Sequence, residues 1–133
     1  MILSDLIGLM QKMGFTVLVS NDSIYLSNTT EISEYKAVFY TDHDFLSAVI
    51  ESLKVILKPF ETEWDAMQYL ECDNLTLNLV QVLNTCGYKS TPSDNSLIVS
   101  TYDDTYEQQL NNFGELVEFT INVLTKIKDA QRL

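Results

Sequence analysis

The chain has 133 residues, 46% of them apolar and 20% charged, and its 19 acids against eight bases leave a net charge of −11. That balance suits one globular domain and excludes a disordered tail. Eleven acids face a single base, Lys89, across residues 59–118, a field that repels phosphate and so excludes direct binding to nucleic acid or an anionic membrane.

The first element is a helix. Leu3, Leu6, Ile7, Met10 and Met13 recur at helical spacing and form one apolar stripe. Ser4 stands where a cap is expected, and Gly14 supplies the left-handed position that ends a helix. The segment has no basic n-region and no small-residue cleavage site, so it reads as a helix of the domain rather than a signal peptide. Phe15, Val17 and Val19 then recur at every second position, Asn21-Asp22-Ser23 makes a turn, and Ile24 and Leu26 resume the alternation. This is the pattern of a β-hairpin.

Asn28 to Glu34 reads as a polar loop, and Tyr35 to Thr41 as a third strand. Thr41-Asp-His-Asp44 has the spacing of a capping box. Phe45, Val49, Leu53 and Ile56 follow as a second helical stripe, which stops near Pro59 because proline cannot continue the hydrogen-bond ladder. Phe60 to Asp73 is the most acidic short segment. Thr62-Glu-Trp-Asp65 is expected to cap a short helix whose apolar side carries Trp64, Met67 and Leu70. Trp64 reads first as an anchor beneath that helix, and otherwise as an exposed binding aromatic.

Leu75, Leu79, Val82, Leu83 and Cys86 form the next stripe, ended by Gly87. Pro92 lies in the strand after it, which should therefore be short or at a sheet edge. Leu97 to Tyr102 is the stronger strand. Asp103, Asp104 and Thr105 are expected to open the last helix, where acids suit the positive end of the dipole. Leu110, Phe113, Val117, Ile121 and Leu124 would run down its face, with Gly114 marking a bend and Lys126, Lys128 and Arg132 at its negative end.

Leu6–Asn28 aligns without a gap to Leu79–Thr101, 73 residues later. Leu6, Gly14, Ser20, Ser23 and Ser27 meet Leu79, Gly87, Ser93, Ser96 and Ser100. The expected fold is thus α+β in a single domain of residues 1–133, internally duplicated, with halves at about 1–58 and 74–133 and an acidic connection at 59–73. Each half reads as helix, β-hairpin, helix. Together they would form a mostly antiparallel sheet of about five strands with helices on one face. The third strand of the first half has no clear counterpart in the second.

The usual signatures of chemistry are missing. His43 lies between Asp42 and Asp44, but neighbours at a helix start diverge, and no second His exists to complete a metal site. There is no nucleophile elbow, no phosphate-binding glycine loop and no calcium loop. Cys72 and Cys86 read as reduced core cysteines of a cytoplasmic protein. No apolar run approaches the ~20 residues that span a bilayer. The expectation is no enzyme, no metal and no cofactor.

What remains is acidity combined with aromatics. Trp64, Tyr69, Tyr88, Tyr102 and Tyr106 fall within the acidic region. Carboxylates stand in for phosphates, and flat rings supply contact area at low entropic cost. The expected site is therefore a partner-binding face of Glu61, Glu63, Trp64, Asp65, Glu71, Asp73, Asp103, Asp104, Glu107, Glu115 and Glu118, presented to a protein with a basic surface. In size and charge the chain is similar to small acidic phage proteins that block host nucleic-acid enzymes, anti-CRISPR proteins among them. That similarity implies a nucleic-acid mimic acting as an inhibitor, in the host cytoplasm if phage-encoded. In length, acidity and the helix-then-strands opening over Leu3 to Thr41, the chain also resembles class I secretion chaperones. That resemblance implies a homodimer binding an extended client. A monomer and a homodimer are both open at this level.

Overall fold

The computed structural model describes residues 2–29 and 34–130. Its elements in chain order are α1 (Ile2–Lys12), β1 (Thr16–Val19), β2 (Ile24–Thr29), β3 (Glu34–Phe39), α2 (Asp42–Ser52), α3 (Glu63–Leu70), α4 (Leu75–Thr85), β4 (Tyr88–Ser93), β5 (Ser96–Thr101), β6 (Glu107–Leu110) and α5 (Phe113–Ala130). A π-turn, Leu53–Leu57, continues α2. The class is α+β.

Helix ends follow the chemistry of their residues. Gly14 and Gly87 take φ of 98° and 100° after α1 and α4, a region that costs glycine nothing. The Thr41 hydroxyl accepts from the Asp44 N–H at 3.1 Å and the Thr62 hydroxyl from the Asp65 N–H at 3.2 Å. The Asn112 side-chain oxygen does the same for the Glu115 N–H at 2.9 Å. Each satisfies a donor that the helix itself leaves unpaired. Ser4 is not the cap of α1, because that helix already begins at Ile2. After α2 the Lys58 N–H reaches back five residues to the Leu53 carbonyl, at 2.9 Å, and the winding stops before Pro59.

The strands do not form one five-stranded sheet. They form two separate three-stranded antiparallel sheets, β1-β2-β3 and β4-β5-β6. Nor is either unit a helix, hairpin and helix, since a third strand follows both hairpins. The strand missing from the sequence reading is β6. Its residues, Glu-Gln-Gln-Leu, carry no apolar alternation, and the acids before it suggested a helix start. Asp103 and Asp104 instead form the β5–β6 turn, with Asp104 in the left-handed region at φ 58°. The last helix begins ten residues after Asp103, at Phe113. Gly114 therefore lies in its first turn rather than at a bend within it. A Cβ there would come within 3.3 Å of the Phe60 carbonyl, and the Phe113 N–H donates to the Glu61 carbonyl at 3.0 Å. The glycine lets the acidic connection lie against the start of α5. Residues 30–33 of the expected polar loop, and Arg132, lie outside the described residues.

The two sheets share a register. Val17 pairs with Leu26 in the first and Ser90 with Val99 in the second, each 73 residues on. Pro92 sits on β4, an edge strand where a missing N–H costs no ladder bond, although β4 is six residues long. The helices join the two halves. α1 packs on α4, and α2 with its π-turn packs on α5. The pair Thr85–Asp5 and the ion pair Lys12–Asp73 tie opposite ends of α1 and α4. One hydrophobic cluster draws on both halves, from Leu9, Met10, Leu26, Phe45 and Leu53 to Leu79, Leu83, Val99, Val117 and Leu124.

Candidate functional site

The acidic connection is built around α3, whose eight residues bury only Ala66. Trp64 lies two residues before it, about 200° around the helix, and points away from the core. It is 65% exposed, so it is not an anchor beneath α3. Met67 and Leu70 do pack against the core. Tyr69 is 73% exposed, with its ring 5.5 Å from that of Phe60. Glu61, Asp65 and Glu71 of the same segment are also exposed. The segment thus presents two aromatics and three carboxylates to solvent.

Two other acids of this segment have partners within the fold. Asn74, at the N-cap of α4, sits at φ 56° and makes no side-chain cap. Glu63 takes over that role: its carboxylate accepts from the Thr76 N–H at 2.6 Å, where the positive end of the α4 dipole favours it. Asp73 pairs with Lys12, and the hydrogen bond and charge of Lys12 hold its carboxyl below the usual range.

The remaining predicted residues fall into two further groups. Asp103 accepts from the Thr105 hydroxyl at 2.7 Å and from the Thr101 hydroxyl at 2.8 Å, and these bonds lower its pKa. Asp104 pairs with Lys89 at 2.8 Å, so the one base in this region is already neutralised. Glu107 is exposed on β6. Tyr102 of the same turn reaches toward the Asn84 carbonyl near the C-terminus of α4, whereas Glu63 touches its N-terminus. Those ends of the 11-residue helix stand about 16 Å apart at 1.5 Å per residue. The fold therefore spreads the acids over both ends of the second half.

Glu115 and Glu118 belong to the third group. They line a groove of about 700 Å³ between the second sheet and α5, with Tyr88, Tyr106, Phe119 and Lys126. Phe119 fills its floor, edge-on to Tyr88 at 5.4 Å and stacked on Tyr106 at 6.4 Å. A corresponding groove of about 860 Å³ lies between the first sheet and α2, lined by Phe15, Phe39, Ala48, Val55 and Ile56, with Asp44 and Glu51 among its polar residues. The sequence reading missed this groove. Its one signal was Ala48, a small apolar residue among the bulky apolar residues Phe45, Leu46, Val49 and Ile50 of α2.

The reactive side chains are quiet. Burial, with Asp5 nearby, pushes the Cys86 thiol up to about 11, and burial also raises Cys72, so neither is a ready nucleophile at neutral pH. His43 stands 3.8 Å from the Asp44 carboxylate. Among the described residues no group of three His, Cys, Asp or Glu side chains is placed to hold a metal ion, and no helix is long and apolar enough to cross a membrane. No family model matches the chain, and no curated protein or solved structure matches it significantly.

Proposed function

We propose that the chain is a small acidic protein-binding protein, an inhibitor or modulator that sets the α3 surface against a basic surface of a partner. That surface is of the kind that holds nucleic acid, as in the action of phage anti-defence and anti-CRISPR proteins. The observation that carries this reading is Trp64. It is the chain's only tryptophan, and it stands 65% exposed on a helix that has no packing use for it. Tryptophan among carboxylates is the composition of an interface anchor with a charged rim. Glu61, Asp65 and Glu71 form the rim, while Asp103, Asp104, Glu107, Glu115 and Glu118 extend the field that steers a basic partner toward it. Glu63 and Asp73 contribute charge while partnered within the fold. The cytoplasm, of the host if phage-encoded, is the proposed setting. We also propose that residues 1–133 are one domain made by duplication of a helix, three strands and a helix, the shared register being its support.

The test uses a partner captured from the native host at low salt and then purified. Trp64→Ala should weaken binding by about 10-fold or more, the scale of an interface anchor. Glu61→Gln, Asp65→Asn and Glu71→Gln together should weaken it and flatten its dependence on salt. Unchanged affinity and salt slope in both variants would remove the proposal.

One observation favours a second reading, a chaperone-like or structural homodimer. Leu18, Tyr25 and Val38 form a cross-strand row on the first sheet, and Leu18 and Val38 are exposed. A stable dimer by light scattering at micromolar concentration supports this reading. A monomer that binds only a basic partner supports the first.

A further inference from the structure

The two grooves can be compared position by position. Phe15 and Tyr88 each follow the glycine that ends a helix, Gly14 and Gly87. Asp44 and Glu115 each donate a backbone N–H to the cap residue, Thr41 and Asn112. Ala48 and Phe119 each stand seven residues beyond that cap. In the second groove this position carries a benzyl ring, 7% exposed and held between Tyr88 and Tyr106. A groove of this build therefore accepts an aromatic ring supplied from the helix side. In the first groove a methyl group occupies the same position.

Two more features mark the first groove. Val55 and Ile56, which line it, sit in the π-turn, whereas α5 runs unbroken from Phe113 to Ala130. A π-turn gives up regular winding, and such turns recur at binding sites. Here it presents Val55 70% exposed, where the second groove has Lys126. The flank is acidic: the Asp44 and Glu51 side chains are both mostly exposed. Lys54, 3.8 Å from Glu51, offsets only part of that charge.

We propose that the groove between the first sheet and α2 is a docking site for a partner segment that lays an aromatic side chain over Ala48 and sets basic residues against Asp44 and Glu51. The intramolecular Phe119 defines the shape of the anchor, and the two carboxylates define the charge of its flanks. The inference rests on the protein-binding reading above but assigns a surface separate from α3.

The probe is an amidated Arg-Phe-Arg peptide titrated into the full chain, followed by backbone amide shifts in NMR. Saturable shifts are expected at Phe39, Ala48, Ser52 and Val55. An Arg-Ala-Arg peptide and a Glu-Phe-Glu peptide should each bind at least about 10-fold more weakly. Ala48→Phe, which supplies the ring from within, should abolish the shifts. Asp44→Asn with Glu51→Gln leaves the apolar lining intact and should weaken the Arg-Phe-Arg peptide several-fold, a check that holds even if Ala48→Phe disturbs folding. Trp64→Ala should bind the peptide as the unaltered chain does. Absence of saturable groove shifts, shifts that survive both groove variants, or shifts centred on Trp64 would overturn the site. The last of these would leave the α3 reading standing. A groove that binds while Trp64→Ala and the α3 charge variants leave the partner's affinity unchanged would instead sink the α3 reading alone.

Discussion

Across its outer face the first sheet sets Leu18, Tyr25 and Val38 in one row, where the second sets Thr91, Ile98 and Gln109. The neighbouring row reads Thr16, Ser27, Lys36 in the first sheet and Lys89, Ser100, Glu107 in the second. Inside, the groove position seven residues past the cap holds Ala48 in one half and Phe119 in the other. Each half runs helix, three antiparallel strands, helix, while most of the side chains in these two rows differ. The first half keeps apolar surface in reach of a partner and carries little net charge, seven acids against four bases over residues 1–58. The second half floors its groove with Phe119 and, with the connection before it, carries most of the acids. A common core leaves each half free to vary outside it: the first groove lies where the halves differ, and the α3 surface lies on the connection between them.

The comparison is sharpest in the core, where the halves should behave alike. Leu53 and Leu124 are both fully buried, and each stands twelve residues past its cap. Leu53→Ala and Leu124→Ala should each cost about 2–5 kcal/mol, the range for a large-to-small change in a packed core. Because α2 packs on α5, urea unfolding should remain one transition in both variants, by far-UV and near-UV circular dichroism alike. Two separated transitions in either variant would show that the halves unfold independently, and the shared-core account would fail.

The caps give a smaller and more local comparison. Thr41 and Asn112 do the same work by different chemistry, one with a hydroxyl and one with an amide oxygen. Thr41→Ala and Asn112→Ala should each cost about 1 kcal/mol, within the usual span for losing an N-cap. Asn112 sits beside the Phe113–Glu61 contact, so its loss should also raise amide exchange at Phe113 relative to Phe45. Equal exchange at the two sites would mean that the acidic connection does not depend on this cap.

Much of the fold was legible because local chemistry agreed with the final packing. The α1 and α4 stripes, the glycines after them, the two hairpin turns and the Thr41 and Thr62 caps are all read correctly from residue type and spacing. β6 was not legible. A polar edge strand has no apolar alternation to announce it, and Asp103-Asp104-Thr105 fits a helix start as well as a tight turn. The division into two sheets was hidden for a related reason: hairpin patterns give the pairing within a meander but say nothing about whether two meanders join. The exposure of Trp64 depended on which face of α3 meets the core, and an eight-residue helix with Ala66 as its buried residue gives too weak a stripe to decide that. Glu63 and Asp73 looked like surface charge because their partners, Thr76 N–H and Lys12, are reached only through the fold.

The smallest expected effect tests whether the halves are equivalent at one atom. Val49 and Thr120 are both fully buried, and each lies eight residues past its cap. The Thr120 hydroxyl donates to the Leu116 carbonyl one turn back, at 2.8 Å. Thr120→Val removes that bond but leaves no orphan, since the carbonyl keeps its helical partner. The loss of about 1 kcal/mol for a net hydrogen bond is offset by about 0.8 kcal/mol for a buried methyl, so stability should change by less than about 1 kcal/mol. Val49→Thr is the mirror experiment. Its hydroxyl can reach the Phe45 carbonyl in the same way, and the cost should be of similar size and opposite sign. A loss well beyond that range for Val49→Thr alone would mean that the Phe45 turn cannot accept the extra bond. The packing around α2 would then differ from that around α5 in the core as well as at the surface.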